Sequence, residues 1–397
     1  MFMRMPLSWV VVCLCTLAST LASAQEPAAA TAEAPKAALK NLVIYPAQIT
    51  LDGPRDEQRV GVLGEYADGR TWDLSRAAKI VSSDAKVALV DAGVIRPVAD
   101  GQATLTITAA GQTKTIPLKV VKANLDKPVE FTREIVPILT KAGCNQGACH
   151  GAQHGRGGFK LSLLGFDALF DHAQIVQSAE GRRVVVSDPE RSILLQKPAL
   201  LMEHGGGERF KVGARDYQFL KRWLEDGVPE PSVKDPETAS LEVWPPRRIM
   251  VAGEQQQILV KATWKDGRVE DVTGTARFDT LNDGVATVSP AGLVTAKARG
   301  ETHVMIRFCG QATVFQVTSP YGKVEPYPQV AVNNFIDEKL ITKWQDLGLT
   351  PSPLCSDEEF LRRIHLDAIG TLPTPEAVKT FLANPSPDKR KQAIDKV

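Results

Sequence analysis

A set of short blocks occurs twice in this chain, in the same order and with nearly the same spacing. Tyr66-Ala67-Asp68-Gly69-Arg70 followed by Asp73-Leu74-Ser75 returns as Trp264-Lys265-Asp266-Gly267-Arg268 followed by Asp271-Val272-Thr273. Val87-Ala88-Leu89-Val90 returns as Val285-Ala286-Thr287-Val288, and Ala92-Gly93-Val94 as Ala291-Gly292-Leu293. Gly101 and Gly111 return as Gly300 and Gly310. Such self-similarity means that one structural unit is used twice. Within each copy apolar and polar residues alternate, as in Thr104-Leu105-Thr106-Ile107-Thr108 and Thr302-His303-Val304-Met305-Ile306. Period-two runs bounded by Asp-Gly and Ala-Gly turns predict antiparallel strands and hairpins. Short strands at this spacing predict a β-sandwich for each copy.

Both copies resemble bacterial Ig-like group 2 (BIG2) modules. The resemblance rests on an opening strand ending in a Pro turn, the Asp-Gly-Arg and Asp-[Leu/Val]-[Ser/Thr] pair, the Val-Ala-x-Val strand and the Gly-rich strand that follows. It implies Ig-like domains over 41–123 and 240–320, the first being the more divergent. The repeated Asp68/Asp73 and Asp266/Asp271 fit turns closed by Asx hydrogen bonds. A calcium site is the alternative, but the dense oxygen-ligand loop of a dedicated site is missing. His303 and Cys309 read as structural residues of a strand and its end. Fold alone names no ligand, and the resemblance implies only a cell-surface glycan or protein as partner.

Between the copies lies the one chemically loaded stretch. Phe131, Ile135, Ile138 and Leu139 recur at helical spacing, so a helix is expected to run into Cys144-Asn-Gln-Gly-Ala-Cys149-His150-Gly151. Two Cys with His directly after the second is the pattern of c-type haem attachment. Cys144 and Cys149 would bond the porphyrin vinyls, with His150 as the proximal iron ligand. The spacing is C-x4-C-H where C-x-x-C-H is usual, so two extra residues must bulge out, which Gly147 permits. Farther on, Met202-Glu203-His204-Gly205-Gly206-Gly207 offers a distal ligand. His204 is preferred there, with Met202 as its alternative. A last amphipathic helix with Tyr217, Leu220, Trp223 and Leu224 on one face is expected to cross the first. The stretch 128–230 resembles the cytochrome c-like domain of secreted planctomycete proteins through its C-N-x-G-x-C-H-G, G-F-K-L-S-L and H-G-G-G blocks. That resemblance implies an all-α domain, covalent haem c, iron and one-electron transfer to a redox partner or to a catalytic domain missing from this chain. Two other readings of the residues stand beside it: a Cys144–Cys149 disulfide, and zinc on Cys144, Cys149, His150 and His154. His154 and His172 read as surface histidines.

The two ends complete the organisation. Arg4, the apolar run Leu7–Leu21 and Ala22-Ser23-Ala24 have the form of a cleaved signal peptide over 1–24. Residues 25–40 are Ala-, Pro-, Glu- and Lys-rich and read as a flexible linker. Export to the periplasm or cell surface is therefore expected. The chain carries 47 Lys and Arg against 46 Asp and Glu, which argues against a nucleic-acid partner. At the other end, Phe335, Ile336, Leu340, Ile341, Trp344 and Leu347 predict one helix. Ser356-Asp-Glu-Glu359 has capping-box spacing and opens a second, and Thr374-Pro375-Glu376 opens a third. Residues 328–397 resemble the domain of unknown function that follows cytochrome-type domains in the same planctomycete proteins, cut short at Val397. No nucleophile–His–acid set, P-loop or dinucleotide fingerprint stands out, and no catalytic residue is assigned. The expected architecture is two Ig-like sandwiches flanking an all-α cytochrome c-like domain, then a helical segment. The expected function is an exported haem protein for electron transfer. Its rival is a surface adhesion or scaffold protein whose Cys-Cys-His stretch is a disulfide or metal staple.

Overall fold

The computed structural model describes residues 32–125, 127–232 and 235–397. The expected signal peptide lies outside the described residues. In the first repeat the strands are β1 Leu39–Tyr45, β2 Ile49–Asp52, β3 Gln58–Arg59, β4 Gly61–Tyr66 and β5 Thr71–Asp73. They continue as β6 Lys79–Ser82, β7 Ala88–Asp91, β8 Val94–Pro97, β9 Gly101–Ala109 and β10 Gln112–Val121. In the second repeat they are β11 Thr238–Trp244, β12 Arg247–Ile249, β13 Gln255–Gln257, β14 Leu259–Trp264 and β15 Val269–Asp271. These are followed by β16 Arg277–Thr280, β17 Ala286–Val288, β18 Leu293–Ala296, β19 Gly300–Phe308 and β20 Gln311–Ser319.

Strand for strand, the topology is the same. Orders β1-β4-β5, β2-β10-β9-β6 and β3-β8-β7 reappear as β11-β14-β15, β12-β20-β19-β16 and β13-β18-β17. In each copy the long hairpin is antiparallel, and one short strand joins it in parallel. Alternation along β9 and β19 sends Leu105, Ile107, Val304 and Ile306 fully inside, as a half-buried sheet requires. The sandwich expectation therefore holds for both repeats. Asp68 and Asp266 close their turns onto the amides of Arg70 and Arg268, at 3.0 and 3.1 Å.

The repeats also hold each other, through equivalent residues used reciprocally. Asp73 Oδ1 accepts from Ser75 N of its own turn (2.8 Å), while Oδ2 accepts from Gln257 N of the second repeat (2.5 Å). Its counterpart Asp271 accepts from Thr273 N (2.9 Å) and, through Oδ2, from Arg59 N of the first repeat (2.6 Å). Ser75 and Thr273 in turn accept from Val62 N and Val260 N. Tyr45 and Trp244, also equivalent, stack with centroids 5.1 Å apart and planes 3° from parallel. This is an isologous contact built within one chain: patch i of one copy meets patch j of the other, and the reverse. Gly61 lies under the Trp244 ring, where an added Cβ would sit 2.2 Å from a ring carbon.

The expected all-α cytochrome c-like domain over 128–230 does not form, and the fold expectation is corrected there. The chain between the sandwiches has only small helical parts: a π-helical turn Phe131–Ile135 running into α1 Val136–Lys141, then α2 Ala168–Val176, α3 Ile193–Gln196 and α4 Arg215–Glu225. The rest is turns. The first helix stops before the cysteines, at Gly143 with φ of 80°, which favours glycine. The expected buried face of α4 is present, with Tyr217, Leu220, Trp223 and Leu224 inside. Trp223 packs on Phe131 at 5.2 Å.

This segment is clamped to both sandwiches. Arg55 Nε meets Glu134 at 2.9 Å, and its Nη1 caps Lys127 O at 2.7 Å. On the other side Arg133 pairs with Glu270 and lies over the Trp264 ring, 5.3 Å from its centroid. Cys309 Sγ reaches Thr132 O at 3.6 Å. Past the second sandwich come α5 Phe335–Leu347, α6 Asp357–Ile369, α7 Pro375–Ala383 and α8 Lys389–Lys396. Asn334 opens α5 with a complete capping box, and Ser356 Oγ accepts from Glu359 N to open α6. Of the apolar face read from α5, only Leu347 is buried; Phe335 and Ile336 are exposed. Among the described residues no helix is long and apolar enough to cross a membrane.

Asp73→Ala and Asp271→Ala should each destabilise the chain by about 1–3 kcal/mol, the cost of leaving a buried donor unpaired. Urea denaturation followed by far-UV circular dichroism measures both, and the two costs should be similar. Gly61→Ala should also destabilise, and should be nearly neutral in a Trp244→Ala background.

Candidate functional site

The residues singled out between the repeats converge on one cavity of about 600 Å³. Cys144, Cys149, His150, Met202 and His204 all line it. The C-x4-C-H loop is a closed turn. Cys144 N bonds Leu139 O, Cys149 N bonds Gln146 O, and His150 N bonds Cys144 O, each at 2.9 Å. The two extra residues are thus absorbed by backbone hydrogen bonds. Gly151 is required next, because a Cβ there would lie 2.1 Å from Asn145 O. Asn145 is fully buried and ties the loop to α1 through Thr140 Oγ1 at 2.8 Å.

Both imidazoles are oriented in the same way. His150 Nδ1 is 2.9 Å from Phe159 O, and His204 Nδ1 is 2.8 Å from Gly207 O. A carbonyl oxygen only accepts, so Nδ1 carries a hydrogen in both rings, and in the neutral form the lone pair is on Nε2. Burial holds the His150 imidazole below its ordinary pKa, which also favours the neutral ring. Burial pushes the Cys144 thiol up to about 12, so it is a thiol at neutral pH. Cys149 is nearer charge, with Arg209 Nη2 3.9 Å from its sulfur. Neither cysteine is in a disulfide.

Two histidines fall elsewhere. His154 is exposed and lines no part of the cavity. His172, expected at the surface, is 3 % exposed; its Nε2 lies 2.9 Å from Val228 O and its ring meets Phe131 and Trp223 edge-on. Sequence reasoning missed the cations of the wall: Arg156, Arg182, Arg183, Lys197 and Arg209. Arg182 and Arg183 are neighbours, but the others come from separate parts of the chain, so no local spacing marks the set.

A bis-imidazole haem site needs two ligand nitrogens with free lone pairs whose other nitrogens are held by acceptors. His150 and His204 meet that requirement, and the residue set fits the group in this respect. Among the described residues no cluster of three or more His, Cys, Asp or Glu is placed to hold a metal ion. The four-residue zinc arrangement with His154 is therefore not formed.

Residues 335–397 match the family PSCyt2, described as "Protein of unknown function (DUF1549)". None of the curated proteins compared matches the chain. Among solved structures, domains 5–6 of the S-layer protein SbsC are similar at 11 % identity and a TM-score of 0.29, over 71 % of this chain and 98 % of that one. SbsC domains 4–9 are similar at 11 % identity and a TM-score of 0.29, over 72 % and 32 %. The adhesin InvE of Yersinia pseudotuberculosis is similar at 9 % identity and a TM-score of 0.16, over 70 % and 58 %. At such scores the likeness fixes neither ligand nor partner. With only short helices and turns between the sandwiches, the all-α cytochrome c-like domain and the electron-transfer identity drawn from it are corrected. The C-terminal match stands, and it is the part of the resemblance that the family model bears out.

Asp171 supports the loop behind His150. It accepts from Ser162 N and Ser162 Oγ (2.5 and 2.8 Å), and burial raises its pKa to about 6. A carboxyl raised in the folded state contributes stability present below its unfolded value and lost as pH rises through about 6. Asp171→Asn, which mimics the protonated group, should therefore gain in melting temperature relative to the parent between pH 5 and pH 8. Paired thermal melts across that range test it.

Proposed function

We propose that this chain is an exported scaffold protein of the cell envelope, in which two Ig-like sandwiches form one rigid spacer. The reciprocal Asp73/Asp271 joint is the observation that carries this reading. A pair of modules fixed by part-buried hydrogen bonds and a ring stack holds its two ends at a set distance, as a spacer must. The Leu7–Leu21 run with Ala22-Ser23-Ala24 supplies the export signal. The partner is a cell-surface glycan or protein bound by the Ig-like modules. Mass spectrometry of protein from an exporting host should find the mature N-terminus at Gln25. Intact Met1 on cytosolic protein would overturn the reading.

The cavity carries a second proposal that does not depend on the fold of a cytochrome. Cys144 and Cys149 are the candidate thioether positions for haem c, with His150 and His204 on the iron and Met202 as the alternative to His204. What supports it is the matched orientation of the two imidazoles. A porphyrin iron held there would supply a redox-active centre. The protein's own part is to aim both Nδ1–H groups at backbone carbonyls and to hold the C-x4-C turn closed. Protein from a host with cytochrome c maturation should give a pyridine haemochrome that survives acid-acetone extraction. Protein without haem from that host would defeat this proposal and leave the scaffold reading intact.

A further inference from the structure

The wall of the cavity is unbalanced in charge. Arg156, Arg182, Arg183, Lys197 and Arg209 line it, and no Asp or Glu does. The chain as a whole is nearly neutral, with 47 basic and 46 acidic residues. Elsewhere many of its cations are paired within 4 Å of carboxylates, as in Arg55–Glu134, Arg222–Asp226 and Lys343–Glu301. None of the five has an ion-pair partner among the described residues. Two are spent on the protein itself. Arg183 donates to Gln174 O and Ser178 O at 2.9 Å and lies over Phe159, and Arg209 reaches Ala142 O at 3.3 Å. Arg156, Arg182 and Lys197 are left without an anionic partner. Arg182 further disfavours the charge on its neighbour Arg183, whose pKa is lowered first by burial and then by Arg182.

The remaining wall is apolar. Leu139, Phe159, Ile193, Leu194, Phe210 and Leu220 line the same space. A concave apolar site with a few convergent polar groups is the form of a small-ligand pocket, and about 600 Å³ lies within the usual range. Unpaired guanidinium groups at the rim recognise carboxylates, bidentately where geometry allows.

We propose that this cavity binds an amphipathic carboxylate: an apolar body that fills the space beside Leu139, Leu194, Phe210 and Leu220, with its acid group on Arg156, Arg182 and Lys197. The binding is reversible and needs neither the cysteine thiols nor a metal, so it stands or falls separately from covalent haem. The acid group has two sources of the same chemistry, the head of a long-chain fatty acid and the acid edge of a porphyrin.

The test is calorimetric titration of the mature full chain with palmitate and, separately, with metal-free protoporphyrin IX. Hexadecanol and protoporphyrin dimethyl ester are the neutral controls. At least one acid should bind, and its neutral analogue should bind ten-fold or more weakly. Arg156→Glu combined with Arg182→Glu should weaken the acid at least ten-fold and leave the melting temperature unchanged, since both side chains are exposed. Binding of palmitate alone assigns a lipid chain, and binding of the porphyrin alone assigns a flat ring. Equal binding of acid and neutral analogue, no binding of either acid, or an unchanged affinity after charge reversal would overturn the proposal.

Discussion

Two buried aspartates at equivalent places hold this molecule together. Asp73 and Asp271 each close a local turn with one oxygen and reach across to the other sandwich with the other. Burial raises the pKa of both carboxyls, while donors from both repeats, and a nearby guanidinium in each case, pull it back down. Local structure and the relation between modules therefore rest on the same side chains. Loss of either should be felt in both places, because a buried polar network partly satisfied is worse than none.

The segment between the sandwiches depends on that joint. Arg55 reaches from the first sandwich to Glu134, and Arg133 reaches from the start of the first helix to Glu270 of the second sandwich, so that the segment with its small core around Phe131, Ile138, Leu220 and Trp223 is tied to both. Its helices are too short to stand alone in water. Fixed at its ends, this piece of chain builds a cavity from turns, and backbone carbonyls aim the imidazoles. Helix packing does not set the site. Hydrogen bonds along a clamped loop do.

Much of this was legible in the sequence, for reasons that differ by element. Alternation in β9 and β19, with Asp-Gly turns between blocks, spelled out both sandwiches because the period of a strand is local information. The Cys144–His150 block, Met202 and His204 pointed to one site, and the cavity does bring them together. The segment around them was misread as an all-α domain. Helical spacing at Phe131–Leu139 is real but ends at Gly143, and the order of motifs resembled a cytochrome without its helices. His172 follows Asp171 and offers no local sign of burial, yet Phe131 and Trp223 enclose it from distant positions. The pairing of Asp73 with Gln257, and the gathering of five cations on one wall, depend on contacts between remote residues that no window of sequence reveals.

The joint between the repeats has one further consequence. Because each copy offers the same patch and receives the same patch, the contact closes on itself after two units. A head-to-tail contact would leave one face open for a third module and would allow an array of any length. Here the duplication is self-terminating, so the span of the pair is set by the interface and not by the number of repeats. The single glycine under Trp244 marks where the copies have diverged: Gly61 is opposite Tyr45 in its ladder, while Leu259 is opposite Trp244 in the other. The first copy has become the socket and the second the lid, and their order along the chain can no longer be exchanged.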